Sequence, residues 1–167
     1  MIRLALSILA FVFAAAAAPA QNANISLGTG AFDASLPVEV TADELSVDQA
    51  TGKAVFAGNV LVVQGEVRMS AGNVTIEYAQ GSDGPKGIAR LLATGGVTFV
   101  TATDAAEAKD AVYSVAEGTV TLSGDVLLTQ GQNAIAGDRL VVNLESGNGR
   151  MEGRVRTVFT PSPGGNP

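Results

Sequence analysis

The run Leu122-Ser123-Gly124-Asp125-Val126-Leu127-Leu128 decides the fold class. Leu122, Val126 and Leu128 fall on one side of an extended ribbon. Ser123 and Asp125, with Thr121 and Thr129 beside them, fall on the other, because successive strand side chains alternate. A helix needs a period near 3.6 residues, and this run lacks it. The apolar–x–Gly–x–Val core recurs in Phe56-Ala57-Gly58-Asn59-Val60, Ala93-Thr94-Gly95-Gly96-Val97 and Met151-Glu152-Gly153-Arg154-Val155. The glycines of the series stand 37, 29 and 29 residues apart.

A second series interleaves with the first. A small residue (Ala42, Ala71, Ala108, Gly137) precedes alternating apolar positions that begin at Leu45, Val74, Ala111 and Leu140, spaced 29, 37 and 29 residues apart. One 29-residue unit accounts for both series, with 8 extra residues inserted once, between Val74 and Gly95. That interval holds residues 79–87 (AQGSDGPKG), which read as a surface loop. The nearest thing to a helix, residues 105–115, runs into a β-branched and aromatic alternation.

Such a unit cannot bury its apolar side alone, whereas stacked units can, strand on strand at about 4.8 Å. The expected fold is therefore all-β: an elongated stack of about four units over residues 37–160, with a continuous aliphatic interior. The register places Val38, Val40, Leu45, Val47, Phe56, Val60 and Val62 on the inward side of the first part. Val74, Ile76, Val97, Phe99 and Tyr113 follow, and then Leu122, Val126, Leu128, Leu140 and Val142. The first strand, Pro37-Val38-Glu39-Val40-Thr41, and the last, over 155–160, have little edge protection, which suggests head-to-tail strand addition between copies.

Composition excludes whole classes of chemistry. The chain has no Cys, no His and no Trp, which removes disulfides, Cys/His zinc sites and histidine-dependent catalysis. A net charge of −6 with dispersed basic residues predicts no nucleic-acid partner. Met1-Ile2-Arg3, an apolar run over residues 4–18 and small residues at Ala18 and Ala20 make a cleavable secretory signal over residues 1–20. Residues 21–36 read as a flexible lead-in and 161–167 as a disordered tail.

Phe56-Ala57-Gly58-Asn59-Val60-Leu61-Val62-Val63-Gln64-Gly65 and Ile135-Ala136-Gly137-Asp138-Arg139-Leu140, together with the two runs around Val38 and Gly124, resemble the periplasmic lipopolysaccharide-transport protein A family (LptA, the OstA-like domain). The resemblance spans residues 36–160. It implies an antiparallel β-jellyroll, and an apolar groove for lipid A acyl chains lined by the inward set above. It also implies a periplasmic location in a Gram-negative bacterium, no cofactor and no enzyme activity. The implied partners are lipopolysaccharide and inner- and outer-membrane transport proteins that carry related domains. The absence of a GxxxxGK[ST] loop makes the expected conduit passive.

Other readings of the same residues are blander. The inward aliphatics also fit a closed core, and the stack also fits a self-assembling structural protein without lipid. Asp43, Glu44, Glu107, Asp110 and Asp138 sit on outward or turn positions, unsuited to the paired carboxylates of a glycosidase. Arg150, Arg154 and Arg156 cluster near the C-terminal end as a solvated face or a partner contact.

Overall fold

The computed structural model describes residues 23–28, 32–48, 51–81 and 84–159. The signal segment read at 1–20 and the tail read at 161–167 lie outside the described residues. Within the described residues the regular structure is 13 strands, with no helix. They are β1 (Ala23–Ser26), β2 (Glu39–Thr41), β3 (Glu44–Asp48), β4 (Lys53–Gln64), β5 (Val67–Gly81), β6 (Gly84–Thr94) and β7 (Val97–Val100). Then come β8 (Asp104–Ala108), β9 (Asp110–Ser114), β10 (Thr119–Gln130), β11 (Asn133–Asn143), β12 (Asn148–Glu152) and β13 (Arg156–Val158).

The strands form one antiparallel network that bends along a line into two facing half-sheets. The first half-sheet runs β3, the start of β4, the end of β5, β6, β9, the start of β10, the end of β11, β12 and β1. The second runs β2, the end of β4, the start of β5, β7, β8, the end of β10, the start of β11 and β13.

The glycine-marked repeats are the bends. In β10 the register slips between Ser123 and Val126, and there Gly124 and Asp125 both hold positive φ, 84° and 50°. This is a β-bulge, one extra residue that kinks the strand. Glycine takes the left-handed conformation without a Cβ penalty, and Asp tolerates it better than most residues. Gly58-Asn59, Gly95-Gly96 and Gly153-Arg154 repeat that pair of positive φ values. The bulge is also why inward positions stay even-numbered along β10 (Leu122, Val126, Leu128) while its partner β11 switches from Ile135 to Leu140 and Val142.

Three of these bends are clasped from a neighbouring segment. The amides of Asp43, Lys109 and Asp138 donate to the carbonyls of Gly58, Gly124 and Gly153. Side chains repeat the pattern: Asn59 donates to Asp43 at 2.8 Å, Lys109 pairs with Asp125 at 2.6 Å, and Arg154 pairs with Asp138 at 2.6 Å. The second of these reverses the charge order of the third. The Arg154 guanidinium holds the Asp138 carboxyl below its usual range, and Lys109 does the same to Asp125.

Two expectations need correction. Residues 79–87 are not simply a loop, because β5 continues to Gly81 and β6 begins at Gly84, so the extra residues lengthen a hairpin with an irregular register beyond Glu77. Its alternation is broken by Gly and Pro, which read as turn residues in sequence. The lead-in is not wholly without structure either. Residues 23–26 pair with β12, from Ala23↔Met151 to Ser26↔Asn148, and Ile25 and Leu27 are buried. The first described strand therefore lies at the C-terminal end of the stack, and β2, the second, lies at the opposite end. Four residues are too few to declare a period in sequence, and their partner is distant along the chain.

Candidate functional site

The two half-sheets enclose an apolar trough. Leu91 of β6, Leu122 of β10, Leu140 and Val142 of β11 line it from the first half-sheet, and Val97, Phe99 and Leu128 from the second, all almost fully buried. The bends close one long side. On the other long side the rims of the half-sheets face each other, joined directly where Tyr113 donates to Gln64 Oε1 at 3.0 Å. Burial, and then the nearby Glu145 charge, raise the Tyr113 phenol above its ordinary value. The Gln64 amide in turn donates to the carbonyls of Leu36 at 2.9 Å and Ala34 at 3.2 Å.

The sequence-derived lining set divides by its place in the stack. Val60, Val62, Val74, Ile76, Val97, Phe99, Tyr113, Leu122, Val126, Leu128, Leu140 and Val142 are buried in the common interior. Val38, Val40 and Phe56 are only partly buried. Leu45 and Val47 are 55% and 63% exposed. The cause is topological: among the described residues β3 is the terminal strand of the first half-sheet, and none of them stacks beyond it. A hollow of about 390 Å³ opens beside it, lined in part by Val40, Leu45 and Phe56. At the opposite end Val158 and Phe159 are 56% and 74% exposed.

The interior itself is well filled. A small cavity of about 20 Å³ lies at the rim, between Val62, Met69 and Phe99 on one side and Tyr113, Val120 and Leu144 on the other. That is room for about one water-sized group. Several interior residues escaped the sequence reading. Leu91 was hidden by the loop assigned to its hairpin. Val67 and Met69 sit four and two residues before Ala71, so extending the alternation backwards finds them. The polar rim residues Gln64, Asp104 and Gln130 had no periodic signal, because they end or begin strands.

The ion pairs lie on the outer surface. Glu77 is held below the usual carboxylate range by Lys53 at 2.8 Å and Arg90 at 2.6 Å. Of the arginine cluster noted in sequence, Arg154 is engaged by Asp138. Elsewhere on the surface Arg139 approaches Glu152 at 3.9 Å. The acids considered as a carboxylate pair do not converge on the trough: Asp43, Glu44, Glu107 and Asp110 are exposed, and Asp138 binds Arg154 outside it.

Comparison with known proteins agrees with this geometry. The chain is 28% identical over 142 residues to the lipopolysaccharide export system protein LptA of Escherichia coli strain K12, covering 78% of this chain and 74% of that protein. It is 29% identical over 133 residues to an uncharacterized protein of Rhizobium meliloti, covering 75% of this chain and 72% of that one. Its fold superposes on the crystal structure of LptH, the LptA-homologous periplasmic component of the lipopolysaccharide transport device of Pseudomonas aeruginosa, with a TM-score of 0.66 at 21% identity, covering 77% of this chain and 99% of that one. Residues 39–148 match the family model described as LptA/(LptD N-terminal domain) LPS transport protein, and the chain belongs to that family.

Proposed function

We propose that this protein works in the periplasm and carries lipopolysaccharide from the inner toward the outer membrane, holding its acyl chains in the trough between the half-sheets. One observation carries the reading: the apolar interior is continuous along the stack and is left uncovered at the β2/β3 end, at Leu45 and Val47. A core that only served stability would have no reason to leave its inward side bare there.

The energetics suit a passive conduit. Each buried CH₂ is worth about 0.8 kcal/mol, so a chain of roughly 12 carbons costs on the order of 10 kcal/mol to expose to water. Transfer from one aliphatic lining to the next is close to neutral, and direction comes from partners. Because the filled interior leaves so little space, chains enter by parting the rims, where a few hydrogen bonds rather than continuous strands join the half-sheets. End-to-end stacking with further copies or related domains of partner proteins extends the path: the end with the bare Leu45 and Val47 meets the end with the exposed Val158 and Phe159.

Photocrosslinking tests the reading. A photoreactive residue at Val62, Phe99 or Leu128 is expected to label lipopolysaccharide, and one at outward Thr129 is not. Labelling from Thr129 alone overturns the trough. Leu45→Asp with Val47→Asp is expected to shorten oligomers in light scattering. Unchanged oligomers overturn the end-to-end arrangement, and oligomers without any lipid label favour the purely structural protein.

A further inference from the structure

We propose that residues 25–28 and 32–36 are an intramolecular stand-in for the lipid, occupying the open side of the trough until an acyl chain displaces them. The inference rests on the lipid-binding reading above and adds its regulation.

The placement of this segment is unlike that of an ordinary lead-in. Ile25 and Leu27 are buried within the common interior, and Phe32 packs against it. Leu27 sits on bare backbone: a Cβ on Gly149 would stand 2.5 Å from Leu27 Cδ1. The segment also bridges both rims. The Leu27 amide donates to Gly147 O at 2.7 Å on the first half-sheet's side, and the Gly28 amide donates to Asp104 Oδ2 at 2.6 Å on the second's. Gln130 Nε2 donates to Ser26 O at 2.8 Å, and Gln64 Nε2 to Leu36 O.

Three polar side chains on the second rim, Gln64, Asp104 and Gln130, thus each bond to the backbone of this segment. The segment offers what an acylated amphiphile offers: aliphatic groups for the trough, and carbonyl and amide groups for the rim. Its strand pairing is short, since among the described residues β1 pairs four residues with β12, and the rest of its attachment is the hydrogen bonds above. Lipid and segment compete for the same apolar surface, so the trough stays covered when empty and opens when a chain arrives.

The absence of native cysteine makes a clean test possible. An ideal Cβ on Gly28 lies 3.1 Å from Thr103 Cβ, so the two positions are adjacent and a shift of roughly 0.7 Å brings them to the separation of about 3.8 Å that a disulfide needs. In full-length Gly28→Cys/Thr103→Cys protein, oxidation locks the segment and reduction frees it. The probe is a fluorescent N-dodecanoyl amide, with circular dichroism as the check that both states keep their β structure. The expected result is at least tenfold weaker binding when oxidised, wild-type binding when reduced, and several-fold tighter binding in Gly149→Ala, which crowds Leu27 out. Equal binding in the oxidised and reduced states overturns the stand-in and leaves the trough reading intact. No binding by wild-type, reduced or Gly149→Ala protein overturns the trough reading itself and the stand-in with it.

Discussion

Tyr113 and Gln64 belong to opposite half-sheets, and the 3.0 Å hydrogen bond between them ties the rims of the trough together. Both residues are at most 5% exposed, so water cannot readily replace the lost partner. Tyr113→Phe leaves Gln64 Oε1 without its donor, at a cost of about 1–3 kcal/mol. Urea unfolding should show a lower midpoint with an unchanged slope. An unaltered midpoint would mean that the bond does not tie the rims.

The same phenol sets an alkaline limit. Its value is raised in the folded state, by burial first and Glu145 second. Above pH ~10 the unfolded chain releases this proton while the folded chain keeps it, so the folded state loses relative stability as pH rises. Thermal melts from pH 8 to 11 should fall more steeply for the wild type than for Tyr113→Phe. Parallel slopes would rule out Tyr113 as the source.

The bends differ in how tightly they are packed. Gly96 has φ of 84° with open space around a would-be Cβ, so Gly96→Ala carries only the conformational cost, about 1–2 kcal/mol. Gly124 has the same φ, but its Cβ would stand 2.9 Å from Lys109 Cβ. Gly124→Ala should therefore cost more than Gly96→Ala in equilibrium unfolding. The reverse order would show that the Lys109 strand can shift away freely.

Interior and end positions should separate in the same assay. Leu140→Ala removes a fully buried side chain and should cost about 2–5 kcal/mol. Leu45→Ala acts on a side chain that is 55% exposed and should stay within about 0.5 kcal/mol. A large loss at Leu45 would mean that the β3 face is covered in solution.

Much of the architecture could be read from alternation and glycine spacing. The recurrence of Gly58, Gly95, Gly124 and Gly153 marks the bends, because the backbone there turns through a left-handed residue and glycine takes that conformation without a Cβ penalty. Inward residues near the middle of the stack were legible for the same reason. Residues at the β3 end were assigned inward correctly in direction, yet Leu45 and Val47 are exposed, because alternation reports which side a residue faces and not whether anything lies opposite. The rim contacts were not legible. Gln64, Asp104 and Gln130 bond to a segment that is near them only after the sheet has folded, the Gln130–Ser26 pair being 104 residues apart.

The position of β1 also dictates an order of assembly. Ala23 emerges early during synthesis, yet its pairing partner is Met151 on β12. Loop closure over such a span is entropically costly until the intervening hairpins have formed. Neighbouring hairpins such as β4–β5 and β10–β11 can therefore zip up while β1 waits, and the earliest residues of the described chain are among the last to find their place.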